Sequence, residues 1–399
     1  MIRYILVDTR YIFMSNSVYI ENQEQYKKAV NHYLSPNRKD SVKTQWEEKF
    51  SISVIGNAIK HLEETYSPKS LRIMDFGCGL GEGFILVQNA LESINLADKQ
   101  VSYLGLDNSQ DMVNVASEQW ESSPNVKFQV NDFRYEIPEQ PSEIYLSCGV
   151  PYSHLTQAEA RGSLEQICQR IKQNKTKSLI VVDVLGRYSI EWVTKWQESR
   201  WEYRMSFVAD GKEQKPMMMT CYYAPDIQQI IEEAAQKENC QIQKIEFCDR
   251  SIMAGRHTST LEYNPNIPPY RHLINSLYNS EETTDFQELI LTPPSETAPS
   301  EVTEFFGTFS RMWNQLIKEA AEFCSEELEI SETIELPESL AGFREELSQF
   351  KDNKQDKSFR AHVVEPTLAN YLYELESTFQ PGLGVGHTLI ALAYVDGTK

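Results

Sequence analysis

The stretch Leu-Arg-Ile-Met-Asp-Phe-Gly-Cys-Gly-Leu-Gly-Glu-Gly, residues 71–83, decides the predicted fold. A short apolar run indicates a buried strand, Asp75 stands near its carboxyl end, and glycines then alternate with other residues. Glycine permits tight backbone dihedrals and the close approach of a ligand that a β-carbon would block. A dinucleotide fingerprint would need glycine at position 82, where this chain has Glu82. The pattern therefore predicts a strand, a bare turn and a helix that together seat a ligand.

Further elements of an α/β fold follow this stretch. A helix is predicted over residues 84–91, and strands are predicted over residues 101–106, 126–130, 143–147 and 179–184. The last of these runs is continuously apolar, which is typical of a parallel strand buried on both faces. The sequence therefore predicts an α/β protein with a mostly parallel sheet.

The acid-x-Gly-x-Gly-x-Gly pattern formed by Asp75, Gly77, Gly79 and Gly81 resembles motif I of the class I S-adenosylmethionine-dependent methyltransferases. With the strands behind it, the resemblance covers about residues 40–260. It implies a Rossmann-like seven-stranded sheet, mostly parallel with an antiparallel closing strand, and an N-terminal helical cap. The residue pattern beyond this region predicts a mainly helical C-terminal extension. It also implies that S-adenosyl-L-methionine is the cofactor and that the reaction is methyl transfer.

The resemblance also implies a cofactor site at the carboxyl ends of the strands. Asp107 is expected to hold the ribose diol by charge-assisted hydrogen bonds, and Asp132 with Phe133 to bind the adenine, although either acid could instead cap a helix. Cys78 and Cys148 are interpreted as small packing residues of the site rather than nucleophiles. The full set of cofactor candidates is Asp75, Gly77, Cys78, Gly79, Gly81, Asp107, Asn108, Met112, Asn131, Asp132, Phe133, Cys148 and Gly149.

Residues 148–154 resemble the motif IV loop of the family, and they supply the catalytic candidates. His154 is the first candidate for a base that deprotonates a hydroxyl or a protonated amine, and Tyr152 is a candidate positioning partner. A histidine at a loop start is also often only a cap or a core contact. If the acceptor is a carboxylate, no base is needed, and Arg187 or Arg256 would clamp it instead. No metal is required for the transfer.

Composition narrows the function classes. The chain of 399 residues carries a formal net charge of −20, which argues against nucleic acid as a partner. Its seven cysteines form no Cys-x-x-Cys pair, and no apolar run is long enough to cross a membrane, so we expect a cytoplasmic protein without a disulfide framework. A small-molecule acceptor, for example a specialised metabolite, is the leading expectation. A protein or peptide methyltransferase, a non-catalytic interaction module and a homodimer remain open.

The chain is divided by pattern into an N-terminal arm or cap (1–39), a catalytic domain (40–260) and an accessory region (261–399). Met14 is hypothesised to be the natural initiator, and Tyr33 and Trp46 are lid candidates that could equally be core residues. An insertion over 188–223 carries a hairpin turn at Asp210-Gly211. Strands over 241–248 and 251–257 are expected to close the sheet as an antiparallel pair.

The last forty residues are predicted to run strand, helix, turn and strand. The strands are placed at 361–364 and 388–395, with a helix over 366–379 between them. Gly382, Gly384 and Gly386 alternate as in motif I, but Gln380 replaces the acid and a strand follows, which favours a turn over a second cofactor loop. The final strand is expected either to extend the main sheet or to mediate association.

Overall fold

The computed structural model describes residues 39–204, 216–259, 263–328, 330, 334–350 and 358–398. This part of the chain contains a sheet of nine strands. The strands are Leu71–Phe76 (β1), Val101–Asp107 (β2), Val126–Val130 (β3), Ile144–Ser147 (β4), Lys177–Gly186 (β5), Arg200–Tyr203 (β6), Met217–Tyr222 (β7), Gln241–Arg250 (β8) and Thr388–Asp396 (β9).

Helices cover both faces of this sheet. The α-helices are Lys49–Tyr66 (α1), Glu82–Ser93 (α2), Gln110–Gln119 (α3), Gln157–Asn174 (α4), Ala224–Lys237 (α5), Tyr270–Ser276 (α6), Ser300–Phe323 (α7), Glu338–Ala341 (α8), Phe343–Ser348 (α9) and Glu365–Thr378 (α10). Short 3₁₀ segments span Pro151–His154, Ile190–Lys195 and Arg256–Ser259, and π-helical turns span Lys43–Glu48 and Arg360–Val364. A helix lies between β1 and β2, between β2 and β3, and between β4 and β5, which is the connection that parallel neighbouring strands require.

The sheet has the mixed strand directions that the sequence resemblance implies. Strands β3, β2, β1, β4 and β5 are neighbours in that order and pair in parallel. Strand β9 pairs antiparallel with β5 on one side and with β8 on the other. The prediction of a mostly parallel, Rossmann-like sheet with an antiparallel closing strand is therefore confirmed.

The identity of the closing strand differs from the prediction. Residues 251–257 do not form a strand, because Ser251 adopts a left-handed φ of 58° directly after β8 and the chain then enters a 3₁₀ segment. The closing strand is β9, whose nine residues are all buried and whose register with β5 runs without a break from Lys177↔Asp396 to Leu185↔Thr388. Of the two roles considered for this strand, the structure shows extension of the main sheet.

The predicted strand over residues 361–364 is also wrong. These residues form a π-helical turn that continues directly into α10. Ala361, Val364 and Leu368 are all buried, and their spacing of three and four residues is that of one helix face. The apolar Val363-Val364 pair therefore belongs to a helical pattern that begins before the predicted boundary.

The sheet separates two cores. Residues Ile180, Val182 and Val184 of β5 point into a core beneath α4 and α5, while Leu179 and Val181 point into a core that also contains α1, α2, α7 and α10. Helices from the C-terminal half thus cover the same face of the sheet as α1. Trp46 lies in this second core, where its indole N–H donates to the Tyr278 hydroxyl at 3.0 Å.

Three sequence interpretations fall on residues outside the described part of the chain. These are the choice between Met1 and Met14, the lid candidate Tyr33, and the turn at Asp210-Gly211. The strands on either side of that turn, β6 and β7, do pair antiparallel, from Arg200↔Thr220 to Tyr203↔Met217. No helix in the described residues combines the length and apolar character that a membrane crossing requires.

Candidate functional site

The turn after β1 is built around three glycines with positive φ: Gly77 at 65°, Gly79 at 52° and Gly81 at 87°. A β-carbon on Gly77 would lie 2.6 Å from Cβ of Pro151, and one on Gly81 would lie 2.9 Å from the Phe128 ring. A β-carbon on Gly79 would meet no atom within 4 Å. Two of the glycines are therefore required by packing, whereas Gly79 borders open space.

A second bare backbone position follows β4. Gly149 has a φ of 79°, is exposed, and would also have no neighbour within 4 Å of an added β-carbon. Strands β1 and β4 are neighbours, so their turns lie side by side at the carboxyl edge of the sheet. Gly79 and Gly149 thus leave room for a ligand at this edge, as the sequence predicted for motif I.

Asp107, at the end of β2, is joined to the glycine turn. Its Oδ2 accepts the backbone N–H of Gly79 at 3.0 Å, and its Oδ1 accepts the N–H of Ser109 at 2.8 Å. Burial raises the pKa of this carboxyl, and the two N–H donors oppose the rise. Of the neighbouring cofactor candidates, Asn108 is half-buried and Met112 is buried. Ser109 caps α3, because its Oγ accepts the N–H of Met112 at 3.4 Å.

Asp75 lies inside β1 and is almost completely buried. Its Oδ2 accepts the hydroxyl of Tyr103 at 2.5 Å, while its Oδ1 has no hydrogen-bond partner. Burial raises the pKa of this carboxyl to about 7, with a smaller contribution from the charge of Asp107. The neighbouring Cys78 is buried, and burial also raises the pKa of its thiol, which suits the packing role expected for it.

Within the described residues, three buried carboxylate or amide oxygens at or near the carboxyl ends of strands lack a hydrogen-bond partner. They are Oδ1 of Asp75 on β1, Oδ1 of Asn131 after β3 and Oδ1 of Asp183 on β5. Buried polar atoms are rarely left unpaired in native proteins, because an unmade hydrogen bond costs free energy. These oxygens can accept hydrogen bonds from a ligand that carries several donors.

The two residues expected to bind adenine, Asp132 and Phe133, contact other side chains of the protein. Asp132 forms an ion pair with Arg134, with 2.5 Å between Oδ2 and Nη2 and 2.9 Å between Oδ1 and Nε. The Phe133 ring packs 5.4 Å from Phe76 and 5.2 Å from Tyr152. The Asp132 carboxylate is therefore already compensated by a neighbour in sequence, whereas Oδ1 of the adjacent Asn131 is unpaired.

The motif IV loop is fixed to β5. Gly149 donates its N–H to Oδ2 of Asp183 at 3.0 Å, and Arg250 donates to the same oxygen at 2.8 Å. Leu185 donates its backbone N–H to Ser153 Oγ at 2.8 Å. Cys148 is half-buried in this loop, and burial raises the pKa of its thiol, so the sulfur is protonated and suited to packing.

The two catalytic candidates of this loop have different surroundings. The Tyr152 hydroxyl is buried against Ser163 Oγ on α4 at 3.0 Å, in the core on the α4 side of the sheet. His154 is half-buried, and burial, followed by the charges of Arg200 and Arg134, lowers its pKa to about 4. The structure therefore surrounds Tyr152 with core residues and keeps His154 neutral near pH 7.

Neither candidate arginine for a carboxylate clamp is isolated. Arg187 donates to the carbonyl of Trp196 at 3.0 Å and lies 3.7 Å from the Asp226 carboxylate. Arg256 begins a 3₁₀ segment, and its charge acts on Glu47 and His257. Both guanidinium groups therefore already interact with other parts of the protein.

A cluster of buried polar groups near the end of β5 was missed by the sequence reasoning. Nδ1 of His387 contacts the carboxylate of Glu191, which also accepts the backbone N–H groups of His257 and, at 3.1 Å, Thr258. Nε2 of His257 contacts the Tyr203 hydroxyl. The sequence offered little indication of this cluster because its residues are far apart in the chain. His387 adjoins a glycine-rich turn, which was the one local hint.

That glycine-rich turn encloses a carboxylate of the protein itself. Asp249 on β8 accepts backbone N–H groups from residues 383, 384 and 385, each at 2.8 Å, and from Gly386 at 3.1 Å. Successive amides of this kind form an anion-binding nest, and Asp249 fills it. The interpretation as a turn rather than a second cofactor loop agrees with this arrangement. Burial raises the pKa of Asp249 to about 6.

Comparison with known proteins identifies the part of the chain that contains β1 to β4. Residues 73–174 match the family model described as a methyltransferase domain. The chain contains a class I methyltransferase domain. S-adenosylmethionine is the cofactor of this domain. No curated protein sequence matches the chain.

Solved structures of methyltransferases resemble this domain at low identity. An S-adenosylmethionine-dependent methyltransferase from Clostridium acetobutylicum is 11% identical, with a TM-score of 0.34 over 48% of this chain and 81% of that one. CalS10, an amino pentose methyltransferase from Micromonospora echinaspora, is 10% identical, with a TM-score of 0.33 over 50% of this chain and 86% of that one. The methyltransferase domain is assigned by the matched family model and the strand order.

Proposed function

We propose that this protein is an active S-adenosylmethionine-dependent methyltransferase whose acceptor is an oxygen or nitrogen atom of a small molecule. The observation that carries the proposal is the open space bordered by Gly79 and Gly149 at the carboxyl edge of the sheet. Oδ1 of Asp75 on β1 and Oδ1 of Asn131 after β3, both unpaired among the described residues, belong to strands that end at this same edge. A binding module that had lost its site would have no reason to keep unpaired buried oxygens and bare backbone at the same edge.

The residues present fit the cofactor. The Asp107 carboxylate would accept hydrogen bonds from the ribose hydroxyls, as a charged acceptor at the end of the second strand can. Oδ1 of Asn131 would accept from the adenine amino group, since Asp132 is held by Arg134. When bound, S-adenosylmethionine supplies a methyl group already activated as a sulfonium. The protein then has to hold the acceptor in line, exclude water and remove a proton where the acceptor carries one.

The surroundings of the catalytic candidates refine this proposal. A general base works best with a pKa near the working pH, and the pKa of about 4 makes His154 a weak base at pH 7. The buried contact between Tyr152 and Ser163 supports a packing role for this tyrosine. In this proposal the loop 148–154 therefore shapes the site, and the proton acceptor is sought elsewhere along the same edge.

Isothermal titration calorimetry with S-adenosylmethionine and S-adenosylhomocysteine tests the proposal. We expect both compounds to bind with one site per chain. Product mass spectrometry with methyl-labelled cofactor, after incubation with phenols, amines and carboxylic acids, then identifies the acceptor class. Absence of binding by either compound would remove the proposal and favour the interaction module. Methylation of basic peptides alone would favour the protein methyltransferase.

A further inference from the structure

His387 is the residue directly before β9 and lies just beyond the carboxyl end of β5. Its Nδ1 contacts Glu191, whose side chain is fully buried, whereas the His387 side chain is 16% exposed. With the Nδ1 hydrogen donated to the carboxylate, the lone pair of the ring is on Nε2. Within the described residues, Nε2 makes no hydrogen bond. His387 thus has one oriented nitrogen and one nitrogen that is available to a ligand.

The backbone of His387 is held rigidly. The turn that precedes it is fixed by the four N–H groups that Asp249 accepts. This turn packs directly on β5, because a β-carbon on Gly186 would overlap the carbonyl of Gly386. Gly186 also donates its N–H to the His387 carbonyl at 3.2 Å, and His387 donates its own N–H to the Ser251 carbonyl at 2.9 Å. The imidazole therefore starts from a backbone with little freedom.

This backbone lies close to the motif IV loop. Leu185 and Gly186 are consecutive residues of β5, and their N–H groups bond to Ser153 of the loop and to His387, respectively. Since neighbouring strands are about 4.8 Å apart, the loop and His387 lie on either side of β5 at a distance of about 10 Å. His387 is therefore at the same edge of the sheet as Gly149, which follows β4, and it lies on the far side of β5, next to β9.

The second histidine of the cluster cannot take the same role. Burial lowers the pKa of His257 to about 4, and its Nε2 already contacts the Tyr203 hydroxyl. The lowered pKa of His257 keeps that ring neutral, whereas a lowered pKa keeps Glu191 charged. Burial alone would raise its pKa, but His387 and His257 outweigh burial, so the net pKa of Glu191 is lowered and the carboxylate is charged. A charged carboxylate beside His387 stabilises an imidazolium.

We propose that Nε2 of His387, oriented by Glu191, accepts the proton that the methyl acceptor loses. The inference rests on the proposed function and narrows it, because an acceptor that must lose a proton is a hydroxyl or a protonated amine and not a carboxylate. The proton of the acceptor moves to Nε2, and the lone pair of the acceptor atom forms the bond to the methyl carbon. The electron pair of the broken carbon–sulfur bond stays on sulfur. The resulting imidazolium is balanced by Glu191.

The test is a histidine-labelled NMR titration that needs no acceptor. Titratable or charged groups near His387 are Glu191, His257, Tyr203 and Arg256, so each spectrum is assigned with the His387→Gln variant. A sulfonium near His387 disfavours the imidazolium. We therefore expect the His387 pKa to be about one unit lower with S-adenosylmethionine bound than with uncharged S-adenosylhomocysteine bound. His362, which is exposed on the turn before α10, serves as the control histidine and should not respond.

A second arm examines the orienting carboxylate. In the Glu191→Gln variant we expect the Nδ1 proton resonance of His387 to move upfield, because the hydrogen bond from Nδ1 loses its charged acceptor. If this variant does not fold, the comparison of the two ligands in the wild-type protein still decides the proposal. An identical His387 pKa with the two ligands, while calorimetry shows that both bind, would overturn the inference and leave the proposed function standing. Absence of binding by both would remove the proposed function and the inference together.

Discussion

The backbone N–H of Gly79 donates to Oδ2 of Asp107 at 3.0 Å, so the bare turn after β1 and the acid at the end of β2 are directly bonded. The two residues are brought together because β1 and β2 pair in parallel and end at the same edge. Asp107 fixes the turn and, in the proposed function, accepts hydrogen bonds from the ribose, so its loss should weaken cofactor binding in both ways.

We predict that Asp107→Ala weakens binding of S-adenosylmethionine by about 10- to 100-fold, since a hydrogen bond to a charged group contributes roughly 1.5–3 kcal/mol. Calorimetry gives the dissociation constant directly. Asp98→Ala, a change at an exposed acid in the loop before β2, is the matched control and should bind normally. An unchanged constant for Asp107→Ala would mean that the ribose is held elsewhere.

Alanine substitutions at two glycines of the turn should affect stability and cofactor binding to different degrees. Gly77→Ala brings a β-carbon to 2.6 Å from Pro151 in addition to the left-handed strain, so we expect a loss of thermal stability. Gly79→Ala carries similar strain of about 1–2 kcal/mol but meets no atom within 4 Å, so the larger effect should be on cofactor affinity. Thermal melts and calorimetry on both variants check this. The expectation fails if Gly79→Ala binds as tightly as the wild type.

The buried Asp75 predicts a specific dependence of stability on pH. Its folded pKa, about 7, lies above the ordinary value of 3.8, because burial disfavours the charged form. The stability that this group contributes is fully present below the unfolded pKa and is lost as the pH rises through the folded pKa. The loss is about 1.4 kcal/mol for each pH unit between the two values.

Without cofactor, Asp75→Asn should therefore gain in free energy of unfolding relative to the wild type as the pH rises from 4 to 7. Urea unfolding of both proteins at several pH values measures this difference. Other titrating groups, including His154 and His257, are common to both proteins and cancel in the comparison. A difference that stays constant across this range would show that Asp75 does not titrate there.

The carboxylate in the glycine-rich turn should be essential for stability. Asp249→Ala leaves four backbone N–H groups without their acceptor, so we expect a loss of about 3 kcal/mol or more in the free energy of unfolding. Glu246→Gln on the same strand, where the side chain is 41% exposed, should change stability little. Equal melting temperatures for the two variants would contradict the role assigned to Asp249.

The first half of the sheet, strands β1 to β5, could be predicted from the sequence for a physical reason. Strands β1, β4 and β5 are apolar runs followed by polar or glycine residues, and β3 alternates apolar with polar residues. The pairs β1–β2, β2–β3 and β4–β5 are neighbours both in the chain and in the sheet. The glycine turn after β1 was equally predictable, because the glycines at 77, 79 and 81 report local backbone requirements. The ion pair of Asp132 with Arg134 was not predicted, although the partners are two residues apart.

The second half of the sheet depends on contacts between residues that are far apart in the sequence, and no local sequence pattern predicts such contacts. Strand β9 pairs with β8, which lies some 140 residues earlier, and an apolar run over residues 251–257 looked like the nearer partner. The contact between Glu191 and His387 spans 196 residues. Such contacts depend on the packing of the whole domain. The sequence could therefore point to individual residues but could not predict which of them are in contact.

The position of β9 has a consequence for biosynthesis. While the nascent chain is on the ribosome, β5 and β8 emerge well before the strand that has to lie between them. At ordinary translation rates the interval from residue 250 to residue 388 lasts on the order of ten seconds. During that time both strand edges lack their partner, and they are open to mispairing unless a chaperone shields them.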